Sequence, residues 1–160
     1  MGAEQMSHYP LFFTYRDRIF GNGFLAEVTS HGRILCATED DERWVYGVEP
    51  GGIAATGDNE QAALEAYRQS FTNVLLDLAT EAESFDAFRT AALKFFADIN
   101  RITEDDWKKA VEQVRERAID LPMKRESADA ECYVLVEQKE QPSFSPKDNE
   151  PASLEPALAA

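Results

Sequence analysis

The apolar residues of this chain change their spacing at Gly57, and that change limits the fold more than any other feature. Downstream of it, Leu64, Tyr67, Phe71, Leu75 and Leu78 recur at steps of three and four, the period that lines one side of an α-helix. The spacing predicts one long helix over residues 58–82. Asp58 is its expected N-cap, and Gln61 stands three residues on, at the capping-box position. A single apolar stripe needs a sheet or a second helix to cover it. Upstream, aromatic and branched runs alternate with turn residues. LFFTYRDRIF begins at Leu11 and ends in a turn at Gly21, Asn22 and Gly23. FLAEVTS is followed by a second turn at His31 and Gly32, and RILCAT by a polar connection of Glu39, Asp40, Asp41 and Glu42 that leads into RWVYGV. Closely spaced runs of this kind predict an antiparallel β-meander of three to four strands, with a short edge piece at Ile53, Ala54 and Ala55. The expected fold class is therefore α+β, a meander packed on a long helix.

Further along, Ser84 is the expected cap of a second helix with Phe85, Phe88, Ala92, Phe95 and Ile99 facing inward. Thr103 is the expected cap of a third, with Glu104 and Asp105 in its first turn and Asp106 at its third position. Trp107, Val111, Val114 and Ala118 form its apolar side, and Leu121 and Pro122 end it. The run ECYVLV, residues 131–136, reads as a late strand at the sheet edge. Pro142, Pro146, Pro151 and Pro156 then fall among few large apolar groups, the composition of a disordered tail. The expected organisation is one domain over residues 1–138, followed by a Pro-rich tail at 139–160. Within the domain, residues 11–80 supply the sheet and first helix, and residues 84–138 a helical extension with the late strand.

Thirty Asp and Glu against 16 Lys and Arg give a net charge of −14. Such a chain repels phosphates, which argues against a nucleic-acid partner. It attracts a basic protein and speeds encounter with it, and the same acidity serves solubility. With no long apolar run and no secretory leader, the expected location is cytoplasmic, with no membrane span. Cys36 and Cys132 stand far apart within apolar runs, the setting of inert buried thiols.

Candidate chemistry is thin. From Gly52, GIAATGDN has the spacing of the phosphate-binding G-x-x-x-x-G-K-[ST] loop, but Asp58 and Asn59 replace the cation and hydroxyl that hold phosphate and metal. Gly52, Gly57 and Asp58 read instead as a turn, a strand-to-helix hinge and a cap. His8 and His31 are the only histidines, and neither residues 39–42 nor 104–106 match the calcium-loop pattern, so no metal or cofactor is expected. Cys36 and His31 are five residues apart, which on a strand puts them on opposite faces. No catalytic residue is assigned. Trp44 and Tyr46 share a strand face and are either core or a partner-binding patch. With Glu39, Asp40, Asp41 and Glu42 they make up the candidate partner-binding set.

The segment GGIAATGDNEQAALEAY, residues 51–67, resembles the HicB-like antitoxin domain. In that family a strand meander leads through a glycine turn and a short strand into Gly-Asp and a helix of the kind T-x-E-E-A-L. Here Gly52, residues 53–56, Gly57, Asp58 and the helix from Asn59 follow that order, and the likeness covers roughly residues 11–80. The resemblance implies a partial ribonuclease-H-like fold without its catalytic carboxylates and a small basic ribonuclease toxin as partner. Residues 84–138 carry no basic recognition helix of the kind that binds operator DNA in that family. The expected function is a non-enzymatic, antitoxin-like protein of a bacterial toxin–antitoxin system that sequesters a small basic protein. The chain itself is a candidate homo-oligomer. The alternatives are an adaptor or regulatory domain for another ligand or subunit and, less well supported, a metal-dependent enzyme using clustered carboxylates.

Overall fold

The computed structural model of the chain describes residues 8–117, 125–140 and 156–159. It is an α+β fold. A seven-stranded sheet, mostly antiparallel, is built from β1 (His8–Phe20), β2 (Leu25–Glu39), β3 (Glu42–Glu49), β4 (Ala54–Gly57), β5 (Arg125–Glu126), β6 (Tyr133–Lys139) and β7 (Ala157–Ala159). Three helices complete it: α1 (Glu60–Glu81), α2 (Phe85–Ala97) and α3 (Arg101–Arg117). The strand order is β4-β3-β2-β1-β7-β5, with β6 pairing β2 off that path. No helix among the described residues is long and apolar enough to cross a membrane.

The sheet is covered on both sides. On one face Leu11, Phe13, Tyr15 and Ile19 of β1 join Ala26, Val28, Ile34 and Cys36 of β2. They pack against Tyr67, Phe71 and Leu75 of α1 and Phe88, Ala92 and Phe96 of α2. On the other face Phe12, Leu35, Val48 and Ala159 pack against Trp107, Ala110 and Val111 of α3. Val114, further along α3, belongs to the first cluster. The alternation of side chains along each strand accounts for this division, because residues two apart share a face. Burying a Phe or Leu of this kind stabilises the fold by about 1.5–3 kcal/mol each.

The expected turn at His31 and Gly32 is absent. β2 runs straight through both residues, because β1 pairs with it continuously from His8 opposite Ala37 to Phe20 opposite Leu25. Gly32 answers to close packing instead, since the carbonyl of Glu49 occupies the place a Cβ would take. β3 occupies the free edge of β2 from Arg33 to Glu39, and β6 occupies the same edge from Leu25 to His31. Two strands far apart in sequence thus lie end to end, with the cis Glu49-Pro50 peptide where β3 leaves.

Helix α1 starts one residue later than expected. β4 pairs up to Gly57, opposite Arg43, so the chain needs two residues to turn away. Asn59 rather than Asp58 is the N-cap, its Oδ1 accepting from the Ala62 amide at 2.8 Å. The buried stripe is Ala63, Tyr67, Phe71, Leu75 and Ala79, with Leu64 and Leu78 half-buried at its border. Ser84 caps α2 as expected, accepting from the Ala87 amide at 3.1 Å, but Phe96 is the buried ring near its end and Ile99 lies beyond the helix. The third helix begins before Thr103. The Gly51 amide donates to the Asp98 carbonyl and the Asn100 amide to that of Val48, which fastens this segment to the end of β3. Asn100 then accepts from the Thr103 amide at 3.1 Å, in the role expected of Thr103. Ala118, Leu121 and Pro122 lie outside the described residues. The expected tail at 139–160 also lies mostly outside them, but Ala157–Ala159 form β7, with Leu158 opposite Leu11 and fully buried. Those three residues belong to the sheet. The late strand begins at Tyr133, not Glu131, and reaches Lys139, one residue past the expected domain end.

Candidate functional site

The acidic connection is a tight hairpin turn. Asp40 and Asp41 both have positive φ, 49° and 66°, the pair of left-handed residues that a two-residue hairpin needs to match strand twist. Aspartate tolerates that region because its short polar side chain bonds locally. Glu39 and Glu42 are therefore directly cross-strand partners, and both are exposed. Trp44 and Tyr46 follow on the same face as Glu42, with ring centroids 5.7 Å apart and planes 7° from parallel. Tyr46 Oη donates to Glu39 Oε1 and Oε2 at 3.1 and 3.0 Å. Burial, and then Glu39, raise the Tyr46 phenol above its ordinary pKa.

The structure thus gathers Glu39, Glu42, Trp44 and Tyr46 on one face of the hairpin, with Asp40 and Asp41 at its tip. Tyr46 also touches the α3-side core, whereas Trp44 is half-buried and joins neither core cluster. Val45, between them, is fully buried on the other face.

Of the three residues given structural roles, Gly57 keeps its own. A Cβ there would run into the backbone of Ala62 and Ala63, so the glycine lets α1 fold tightly against β4. At Gly52 a Cβ would make only ordinary contacts with Asp98 and Phe95, and the crowded glycine of that turn is Gly51, packed on Asn100. Asp58 is exposed and leaves the cap to Asn59.

A second polar region escaped the sequence reading. Arg33 Nη2 donates to Glu49 Oε1 and to Glu104 Oε2, both at 2.7 Å, and its guanidinium lies 5.2 Å from the Trp107 ring centre. Glu104 also accepts from Arg101 at 3.1 Å and lies 3.9 Å from Lys108. The hydrogen bond from Arg33 holds the Glu104 carboxyl below the usual carboxylate range. Trp107 Nε1 donates to the Leu11 carbonyl at 3.4 Å. Beside this network, where β3 leaves and β6 enters, is a cavity of about 180 Å³ whose lining includes His31, Glu49, Phe96, Cys132 and Tyr133. His31 is stacked between Phe12 and Tyr133, and its Nδ1 is 3.0 Å from Thr14 Oγ1. Burial pushes the Cys132 thiol up to about 11, so it stays protonated at neutral pH and is a poor nucleophile. Cys36 lies on the opposite face from His31, its thiol raised by burial against α1. Among the described residues, no group of three or more His, Cys, Asp or Glu is placed to hold a metal ion.

No family model matches the chain, and no curated protein or solved structure matches it.

Proposed function

We propose that this chain is a non-enzymatic, antitoxin-like binding protein of the cytoplasm that sequesters a small basic protein, such as a ribonuclease toxin, through the tip of the β2–β3 hairpin. The observation that carries this reading is the stack of Trp44 on Tyr46 beside the cross-strand carboxylates Glu39 and Glu42. Like charges directly opposite each other across two strands are unfavourable, and a cation between them relieves the repulsion. An indole face next to that position adds a cation–π contact of about 0.5–2 kcal/mol for a lysine or arginine side chain. Half-buried Trp and Tyr are the side chains most often found at binding hot spots. The net charge of −14 supports the same partner chemistry by drawing a basic protein toward the surface. The HicB-like order of glycine turn, short strand and helix at residues 51–67 supports a toxin as that protein.

The test is growth rescue by co-expression with the product of the neighbouring reading frame. Rescue that depends on Trp44 supports the proposal. A neighbouring product that is not basic, or that is neither toxic nor bound, defeats the antitoxin reading and favours an adaptor for another subunit.

A further inference from the structure

Strand β6 carries the second surface. Among the described residues it pairs on one side only, with β2 through seven register positions from Leu25 opposite Lys139 to His31 opposite Tyr133. Its outer edge presents backbone donors and acceptors that no other described strand meets. Proteins usually protect such an edge with a central charge, a proline or a bulge. β6 has no proline and no bulge, and its first four residues, Tyr133, Val134, Leu135 and Val136, are uncharged; Glu137 and Lys139 follow in its second half, and Glu131 and Glu140 lie just outside it. Val134 and Val136 point toward the α1 and α2 side, where Val136 is buried. Tyr133 and Leu135 point the other way and are 49% and 51% exposed, among the few large apolar side chains left in solvent.

We propose that the outer edge of β6 pairs antiparallel with the β6 of a second copy of this chain, about a two-fold axis at Leu135. The sequence around that axis is self-complementary. Leu135 meets Leu135 of the other copy, Val134 meets Val136, Tyr133 meets Glu137, and Glu131 meets Lys139. No carboxylate faces a carboxylate in this register. A shift that pairs Glu137 with itself, or with Glu131, opposes like charges at a cost. The dimer joins two sheets into one continuous sheet, and each interface is isologous, as a two-fold requires. A strand edge with its flanking side chains buries less than the ~800 Å² per partner of a standard interface, so the association is weak, in the micromolar range. The hairpin tip takes no part in it.

Sedimentation velocity on the full chain over a concentration series tests this directly. The 18.0 kDa chain is expected to shift reversibly toward twice that mass. Leu135→Glu places two carboxylates on the axis and is expected to abolish the shift while leaving the thermal unfolding curve of the half-exposed site in place. Glu131→Lys and Lys139→Glu are each expected to weaken association by about tenfold. The double variant restores it, and so does mixing the two single variants, because their pairs are complementary across the axis. Failure of both the double variant and the mixture to restore association overturns the register. A concentration-independent mass of 18.0 kDa, or a dimer indifferent to Leu135→Glu, overturns the interface and leaves the edge to a segment of another protein or of this chain.

Discussion

Replacing Arg33 by methionine isolates the ion network that fastens α3 to the sheet. Methionine keeps an apolar stem beside Trp107 and removes the cation that sits 2.7 Å from both Glu49 and Glu104. The Arg33, Glu49 and Glu104 side chains are 13%, 26% and 11% exposed, so water reaches the two carboxylates only in part, although Glu104 keeps Arg101 at 3.1 Å. Removing one partner from a buried pair costs about 3–5 kcal/mol, and the residual exposure here places Arg33→Met at the lower end, about 3 kcal/mol. The loss depends on pH in a defined direction. Arg33 depresses the Glu104 pKa in the folded protein, so this group stabilises the fold above the ordinary carboxylate range, and that contribution disappears as pH falls through the lowered value. The gap between wild type and Arg33→Met should therefore be widest at neutral pH and narrow as pH falls below the ordinary carboxylate range. Urea unfolding of both proteins across that range measures it, and Arg33→Met/Glu104→Gln should recover part of the loss. A neutral-pH difference below ~1 kcal/mol, the value of an exposed ion pair, refutes the reasoning, as does a gap that widens on acidification.

Two further perturbations follow from buried groups. The Tyr67 hydroxyl is buried with no hydrogen-bond partner among the described residues, so Tyr67→Phe should raise stability by about 1 kcal/mol in urea unfolding. A loss of that size instead reveals a partner for the hydroxyl. Burial pushes the Cys132 thiol up to about 11, so its labelling by a thiol-reactive dye in the native protein should be slow at neutral pH and accelerate as pH rises toward that value. Rapid labelling at neutral pH contradicts the environment assigned to it.

Periodicity made most of the fold legible. The steps of three and four around Tyr67, Phe71 and Leu75 located α1, and the alternation at Trp44, Val45 and Tyr46 told which side chains of β3 share a face. The misreadings share one cause, a contact between distant parts of the chain. Gly32 looks like a turn residue until the Glu49 carbonyl is seen against it. Asn100 replaces Thr103 as a cap because backbone bonds to Gly51 and Val48 hold the segment before it. Three small apolar residues at 157–159 carry too little pattern to mark a strand, and their burial comes from β1 beside them. At the hairpin, residues 39–42 read only as a polar connection; Glu39 and Glu42 prove to be paired strand residues, and Asp40 and Asp41 alone make the turn. The cavity could not be read from the sequence, because His31, Glu49 and Cys132 converge only when β3 and β6 meet end to end along β2.

The central claim is that the hairpin tip binds a basic protein. Surface plasmon resonance with the immobilised product of the neighbouring reading frame tests it most directly, using the wild-type chain and Trp44→Ala, with unfolding midpoints recorded alongside. Binding should slow in association as salt rises. Trp44→Ala should weaken affinity about thirtyfold, the effect of losing a hot-spot aromatic, with the unfolding midpoint little changed. No binding, or binding that Trp44→Ala leaves intact, contradicts the account.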